Sequence, residues 1–213
     1  MFRAFAARSV GGVSKERLKS PRARLFVALD LPESLREGIV AWGRRELRDP
    51  ALRVVPPESL HITLAFLGYM PEKAIDSVAK VVEGIESSAP ELALGDPVAK
   101  PNLARARVFA LPVASPATIS LQAELEAKLL AARLYKLEKR PFWPHVTVAR
   151  VRAASRGSRQ PMKVASPPKK LSNQLIEPNY LGIRTRLYRS ELNPTGARYM
   201  PLAQVELSHG GRQ

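Results

Sequence analysis

The chain has 213 residues, enough for one domain with a hydrophobic core and too few for several independent domains. Because 45% of the residues are apolar and 25% are charged, the composition excludes a wholly disordered or fibrous chain, and the absence of cysteine excludes disulfide scaffolds, thiolate metal sites and cysteine nucleophiles. Lys and Arg outnumber Asp and Glu by 34 to 19, which favours a polyanionic partner, most commonly a nucleic acid.

Residues 1–23 are predicted to form a flexible basic arm. They contain six Lys and Arg residues and a single acid, Glu16. Arg3 and Arg8 interrupt the apolar run before it reaches the length of a secretory signal, whereas the Arg-rich, acid-poor start leaves an organellar transit peptide as an alternative. No uncharged stretch is long enough to span a bilayer, so we expect no membrane partner. The interrupted apolar run and the absence of cysteine fit a reducing compartment, and we expect a cytoplasmic protein.

After the arm, the chain alternates between strand and helix patterns. Residues 25–29 are an apolar run typical of a buried strand, and the spacing of apolar residues after Pro32 predicts a helix that ends before Pro50. Residues 60–67 predict a second strand, and the apolar face of residues 73–85 predicts a second helix. The order is therefore strand, helix, strand, helix.

The second half of the chain repeats this order. Residues 108–113 and 142–151 predict strands on either side of a helix that begins at Pro116. The chain therefore consists of two similar units in sequence.

A basic segment follows the second unit. Residues 150–170 contain seven Lys and Arg residues and no acid, and they predict an irregular loop that either contacts nucleic-acid phosphates or is ordinary solvated surface. Residues 180–188 and 199–207 then predict two closing strands joined by a turn around residues 193–196.

One short sequence occurs twice. Residues 61–65 read His-Ile-Thr-Leu-Ala and residues 145–149 read His-Val-Thr-Val-Ala. Side chains alternate between the two faces of a strand, so the His and the Thr of each copy share one face and the apolar residues between them face the core. Two of the three histidines thus occupy equivalent places; the third, His209, lies in a polar tail where we expect no role.

Two other interpretations of this repeat are less favoured. A single His-x-Thr sequence is compatible with ordinary half-exposed strand residues, but chance would seldom place two of three histidines equivalently. Histidine is also a common metal ligand, yet one imidazole per strand with no third ligand nearby argues against a metal site. We therefore expect no metal and no cofactor.

The repeat suits chemistry at phosphorus. Such a reaction needs a base for the nucleophile, an acid for the leaving oxygen and donors for the charged non-bridging oxygens. Imidazole titrates near neutral pH, so one of two histidines can be neutral while the other is protonated. Thr63 and Thr147 would donate hydrogen bonds to the phosphate oxygens, and opening of a strained cyclic phosphodiester requires no metal.

Several spaced motifs make the chain similar to a known family. They are Arg-Leu-Phe-Val-Ala-Leu-Asp-Leu-Pro at residues 24–32, Leu-His-Ile-Thr-Leu-Ala-Phe-Leu-Gly at 60–68, the second His-x-Thr motif and Leu-Tyr-Arg-Ser-Glu-Leu at 187–192. Together they resemble the 2H phosphoesterases, and within them the RNA 2',3'-cyclic phosphodiesterase (2'-5' RNA ligase) family. The resemblance covers residues 24–207, which we expect to form one bilobal domain followed by a flexible tail at 208–213.

The resemblance implies a bilobal α+β fold. Two antiparallel sheets related by a pseudo-twofold axis would face each other across a central cleft, with helices on their outer faces. It implies further that His61 is the proton donor and His145 the proton acceptor of a metal-independent reaction. The product would be a 2'-phosphate.

Phe66 and Arg150, each five residues after its histidine, match positions that contact the nucleobase and phosphate region in similar enzymes. Strict alternation would put both on the opposite face from the histidines, so each needs a bulge or a strand end to reach a ligand. For Phe66, a core position is the alternative.

The resemblance also implies the partners. We expect RNA with 2',3'-cyclic phosphate ends, or cyclic nucleotides, as substrate and a monomeric protein. Ligation of RNA ends through a 2'-5' bond and binding of RNA ends without turnover are the competing functions. Catalysis is favoured over binding, because phosphate binding alone does not need two matched proton-transfer groups.

Overall fold

The computed structural model describes residues 21–171, 175, 180–193 and 196–208. The predicted basic arm lies outside these residues except for its last three, of which Arg22 and Ala23 already belong to the first strand. His209 and most of the predicted tail also lie outside them.

The described chain contains more strands than helices, and its last three strands follow one another without an α-helix. Its strands are β1 (Arg22–Asp30), β2 (Leu52–Val54), β3 (His61–Pro71), β4 (Glu91–Leu94), β5 (Val98–Lys100), β6 (Val108–Ala114), β7 (His145–Val151), β8 (Tyr180–Leu181), β9 (Arg184–Asn193) and β10 (Gly196–Glu206). Its α-helices are α1 (Glu33–Glu46), α2 (Ile75–Glu83) and α3 (Pro116–Ala131). The α+β class expected from the sequence is confirmed.

The predicted long elements are present, with differences at their ends. The strand predicted for residues 142–151 begins only at His145, after Pro144. The strand predicted for residues 180–188 is two strands, β8 and β9, of which β9 continues to Asn193. The short strands β2, β4 and β5 were not predicted, because three or four residues carry too little periodicity to be recognised.

Local sequence explains where helix α3 begins. The side chain of Ser115 accepts a hydrogen bond from the backbone N–H of Thr118 at 3.1 Å, and Pro116 occupies the first turn, where its missing N–H costs nothing. Leu121, Leu125 and Leu129 recur every four residues and are fully buried. The helix therefore packs one apolar face on the sheet.

The sheet consists of two antiparallel halves. Its strand order is β10-β9-β1-β3-β7-β6-β4-β8, with β2 beside β7 and β5 beside β6. Strands β3 and β7 join the halves through a single residue pair, Ile62 with Val146. Both side chains are fully buried, and one continuous hydrophobic core runs through both halves. The central pair of strands is the pair that carries the two His-x-Thr motifs.

Among the described residues, none of the helices has the length and apolar character needed to cross a lipid bilayer.

Candidate active site

The two motifs line one cleft of about 700 Å³. All six predicted site residues are part of its wall: His61, Thr63, Phe66, His145, Thr147 and Arg150. Strands β1, β2 and β10 add Phe26, Arg53 and Tyr199 to it. The structure thus brings together every residue that the sequence selected.

Equivalent bulges shape both motif strands. Opposite β3, Ala28 pairs with Thr63 and Val27 pairs with Ala65, so Leu64 between them has no partner on β1. Val148 of β7 is likewise passed over in the pairing with β6. One extra residue reverses the alternation of faces beyond it.

This reversal is why the fifth residue after each histidine reaches the cleft. Residues 61–66 and 145–150 have the same sequence of burial, with the two residues at the bulge both buried and the next one exposed. Phe66 is 55% exposed, which excludes the core position that was its alternative, and Arg150 is exposed as well. We call residues 61–66 the first motif and residues 145–150 the second motif.

The junction between β3 and β7 fixes how the motifs face each other. The two strands are antiparallel at Ile62 and Val146, so His61 and Thr63 flank one member of this pair while His145 and Thr147 flank the other. All four side chains line the same cleft. The two imidazoles and two hydroxyls therefore converge on the cleft around the junction of the two strands.

A backbone carbonyl orients each imidazole. The Nδ1 atom of His61 is 2.8 Å from the carbonyl oxygen of Ser59, and that of His145 is 2.7 Å from the carbonyl oxygen of Trp143. A carbonyl only accepts, so Nδ1–H is the donor in both rings. In the neutral ring the Nε2 atom then carries the lone pair, and in the protonated ring it carries the second N–H.

Thr63 also contacts the histidine of its own motif. Its Oγ1 atom lies 3.1 Å from Nε2 of His61. When the ring is neutral, the hydroxyl donates to Nε2; when the ring is protonated, Nε2–H donates to the hydroxyl oxygen. The imidazole of His61 thus has a polar contact at each nitrogen.

Aromatic rings surround His61. Phe26 stacks on it with ring centroids 5.1 Å apart, Tyr199 approaches edge-on at 5.4 Å, and Tyr188, which stacks on Phe26 at 5.1 Å, lies 6.3 Å from His61. Burial, together with the charges of Arg150 and His145, lowers the pKa of His61 to about 4, although the Ser59 carbonyl acts in the opposite direction. The unliganded ring is therefore neutral at neutral pH.

His145 has different neighbours. It stacks on Trp143 with centroids 4.2 Å apart and planes 16° from parallel, and the ammonium of Lys100 lies 4.4 Å from a ring centroid of that indole. Burial lowers the pKa of His145, and the positive charges of Lys100 and Arg150 lower it further, against the raising effect of the Trp143 carbonyl. These neighbours favour the neutral form, which is the form a base needs.

A buried polar network supports the aromatic side of the cleft. The hydroxyl of Tyr188 donates to Asp30 at 2.8 Å, and Arg186 lies 3.0 Å from the other oxygen of that carboxylate. Burial raises the pKa of Asp30, while Tyr188 and the arginines act to lower it. The network links β1 to β9 and fixes the tyrosine on which Phe26 stacks.

The sequence did not single out Phe26, Tyr199, Trp143 or Lys100 as site residues. Trp143 could have been predicted from the alternation of side chains along a strand. It lies two residues before His145, and alternation places it on the same face as the histidine. The other three come from strands distant in sequence, so only the pairing of strands brings them to the cleft. Within the described part of the chain, no group of three or more His, Asp and Glu side chains is arranged to hold a metal ion.

Comparison with known proteins gives consistent matches. Residues 29–110 match the family model described as LigT like phosphoesterase. The chain is 33% identical over 128 residues to the RNA 2',3'-cyclic phosphodiesterase of Escherichia coli K12, which covers 60% of this chain and 71% of that one. It is 31% identical over 191 residues to the RNA 2',3'-cyclic phosphodiesterase of Methanothermobacter thermautotrophicus, covering 87% of this chain and all of that one.

A solved structure shares the fold. The crystal structure of E. coli LigT complexed with 3'-AMP superimposes with a TM-score of 0.69 and 28% sequence identity, covering 89% of this chain and all of that one.

Proposed function

The chain belongs to the LigT-like phosphoesterases of the 2H superfamily, and from this premise we propose that it hydrolyses the 2',3'-cyclic phosphate of RNA ends and cyclic nucleotides to a 2'-phosphate without a metal ion. The relatives named RNA 2',3'-cyclic phosphodiesterase support the class of enzyme. The observation that carries the proposal is the convergence of two imidazoles and two threonine hydroxyls on one cleft.

The reaction uses one histidine on each side of the phosphorus. Nε2 of His145 takes a proton from water as the water oxygen bonds to phosphorus. The bond from phosphorus to O3' breaks in line with this attack, and the imidazolium Nε2–H of His61 gives its proton to O3'. The products are a 2'-phosphate and a 3'-hydroxyl, and exchange of protons with solvent restores both rings.

The threonines hold the phosphate. The hydroxyls of Thr63 and Thr147 donate to the two non-bridging oxygens, on which negative charge is concentrated in the transition state. Because both threonines line the same cleft as the two histidines, the phosphate is bound between acid and base. Holding the reacting atoms in this geometry lowers the activation barrier, because part of the entropy cost of the attack is already met when the substrate binds.

The acid must gain a proton before it acts. A pKa of about 4 leaves His61 neutral in the free protein at neutral pH. The phosphodiester anion placed beside it favours the charged imidazolium, and the face of Phe26 does the same through a cation–π contact. Substrate binding and protonation of His61 are therefore coupled.

The two residues beyond the bulges serve recognition in this proposal. Phe66 provides an exposed ring on which a nucleobase stacks, and Arg150 provides a guanidinium for a phosphate oxygen. Residues 24–207 act as one bilobal domain and as a monomer.

Product analysis tests this function. Purified protein is incubated with a nucleoside 2',3'-cyclic monophosphate in the presence of EDTA, and phosphorus NMR identifies the product. The proposal predicts the 2'-phosphate alone, at a rate that EDTA does not change. A His61→Ala preparation, purified in the same way, controls for contaminating phosphodiesterases.

Other products would contradict specific parts of the proposal. A pure 3'-phosphate would reverse the assignment of the two histidines, and a mixture would mean that they exchange roles. Binding without turnover would identify a module that holds RNA ends. Loss of activity in EDTA, restored by a divalent cation, would contradict the metal-independent mechanism.

A further inference from the structure

Strand β7 continues beyond the cleft into a short hairpin. Ala153 bridges to Pro161, the backbone N–H of Ala154 donates to Gln160, and that of Met162 donates to Arg152 at 2.8 Å. The turn between the two arms has Gly157 at a φ of +81°, a conformation that favours glycine. The first part of the basic segment predicted as irregular is therefore an ordered extension of the second motif's strand.

The hairpin carries exposed arginines away from the cleft. Arg150 lines the cleft, Arg152 lies two residues further on the same side of the extended chain, and Arg156 and Arg159 flank the turn. Arg53 of β2 pairs directly with Arg150 and lines the cleft beside it. We call these five residues the arginine track.

No carboxylate neutralises the track. Residues 97–123 and 139–176 contain no Asp or Glu. None of the salt bridges among the described residues involves an arginine of the track. By contrast, the arginines of β9 are paired: Arg184 with Asp30 and Glu206, Arg186 with Asp30, and Arg189 with Glu72.

Like charges directly opposite each other destabilise a sheet, as Arg53 and Arg150 do here. A bound polyanion places negative charge beside both guanidinium groups, so attraction to the polyanion offsets their mutual repulsion. Its binding also releases the counterions condensed on the polyanion. A cationic track without internal partners, continuous with a phosphate-handling cleft, therefore fits a chain of phosphates.

The cleft also has a direction. Since β3 and β7 are antiparallel at their junction, the two motifs extend in opposite directions from it, so Phe66 lies at one end of the cleft and Arg150 at the other. The Phe66 end offers a ring for a base, with Tyr69 also exposed three residues further along β3. The Arg150 end opens onto the track.

We propose that the arginine track binds the backbone of single-stranded RNA on the 5' side of the terminal cyclic phosphate, so that the substrate is an oligonucleotide and not only a mononucleotide. This inference rests on the proposed function of the cleft. The terminal phosphate lies between the two histidines, and the preceding phosphates contact Arg150, Arg152, Arg156 and Arg159 in turn.

The rest of the basic segment is not part of the track. The backbone N–H groups of Ala165 and Ser166 donate to Asp49 at 2.7 Å, and that of Lys169 donates to Glu46 at 3.1 Å. These bonds tie residues 163–170 to the C-terminal end of α1. Lys169 and Lys170 therefore provide exposed cations of the same segment that serve as a control.

Two triple variants with the same loss of charge separate the track from general electrostatics. The first, R152Q/R156Q/R159Q, removes three track arginines outside the cleft, and the second, R45Q/K169Q/K170Q, removes three exposed cations at the end of α1. For each, kcat/KM is measured against salt concentration with a single-stranded RNA oligonucleotide ending in a cyclic phosphate and with a cyclic mononucleotide.

The track variant is expected to lower kcat/KM on the oligonucleotide. The slope of log kcat/KM against log salt is negative, and its magnitude is expected to decrease by about 0.7 for each backbone phosphate that the variant no longer binds. Its turnover of the mononucleotide, which has no preceding phosphates, is expected to match that of the parent. This result would show that the cleft is intact. The control variant is expected to retain the parent's slope.

Three results would contradict the proposal, and each would identify a different part of it as wrong. Equal salt slopes for the track variant and the parent would show that the track does not bind the backbone. An equal loss of activity in the control variant would show a general effect of net charge. If the parent itself hydrolyses neither the oligonucleotide nor the cyclic mononucleotide, the proposed function fails and not only the track.

Discussion

The first and second motifs have the same backbone and different surroundings. Both present a histidine and a threonine to the cleft, both contain a bulge at the fourth residue, and both hold Nδ1–H on a carbonyl two residues earlier. Around His61 the neighbours are aromatic rings, whereas His145 stacks on an indole that also contacts Lys100. The two motifs therefore share their backbone geometry and differ in the side chains around the histidine.

In the proposed mechanism this difference assigns the two histidines different roles. Electron-rich ring faces beside His61 favour its imidazolium once an anion is bound; Arg150 lowers the pKa of both rings, whereas the charge of Lys100 lowers that of His145. A pair of identical groups in identical surroundings would have no preferred direction of proton transfer.

Removal of either imidazole is expected to have the largest effect. His61→Ala and His145→Ala should each lower kcat on a cyclic mononucleotide by roughly 10²–10⁴-fold, the usual contribution of general acid or base catalysis. Both rings are on the cleft surface, so circular dichroism and thermal unfolding should remain close to those of the parent. Full activity in either variant would refute the mechanism.

Substrate binding is expected to displace the titration of His61. Because the free pKa is about 4 and a bound anion raises it, the imidazole of His61 should titrate at higher pH, by roughly 2 units if the acid is matched to neutral pH, when the protein is saturated with the 2'-phosphate product. NMR titration of the imidazole signals in the free protein and in this complex measures the shift, and His61→Ala assigns the signal. Equal pKa values in the two states would show that the anion does not charge His61.

Loss of a threonine hydroxyl is expected to cost less than loss of a histidine. Thr63→Ala and Thr147→Ala each remove one charge-assisted donor and should lower kcat/KM by a factor that corresponds to about 1–3 kcal/mol. Thr63→Ser and Thr147→Ser keep the hydroxyl and serve as matched controls that retain most of the activity. Similar losses in the Ser and Ala variants would assign the threonines a packing role.

The smallest effect is expected at Lys100. Its positive charge lowers the pKa of His145, so Lys100→Gln should raise that pKa. The NMR titration of the His145 imidazole should therefore move to higher pH, by less than about 1 unit for one partly solvated charge. Lys100→Arg keeps the charge and should leave that titration in place; a shift in both variants would point to altered packing on Trp143.

Much of this site could be predicted because its signal is local. Two His-x-Thr sequences and their alternation identified His61, Thr63, His145 and Thr147, and the need for a bulge to bring Phe66 to the cleft was itself deducible from strand geometry. All of these depend on residues within five positions of one another. Strong apolar periodicity likewise predicted the long strands and helices.

The rest depends on contacts between distant segments. Phe26 and Tyr199 reach His61 only through the order of strands β10, β9, β1 and β3, and Lys100 reaches Trp143 from a strand too short to be recognised. Composition does not distinguish the hairpin of the basic segment from the part bound to Asp49 and Glu46. Sequence pattern reports local preference, whereas these features are set by tertiary pairing.

The assignment of His61 as acid and His145 as base can be tested most directly with a leaving group that needs no proton. In a cyclic substrate whose 3' oxygen is replaced by sulfur, the departing thiolate is stable without protonation. His61→Ala should then turn over this substrate at a rate close to that of the parent, while His145→Ala should remain deficient by roughly 10²-fold or more. Equal losses in the two variants, or recovery of His145→Ala instead, would contradict the account.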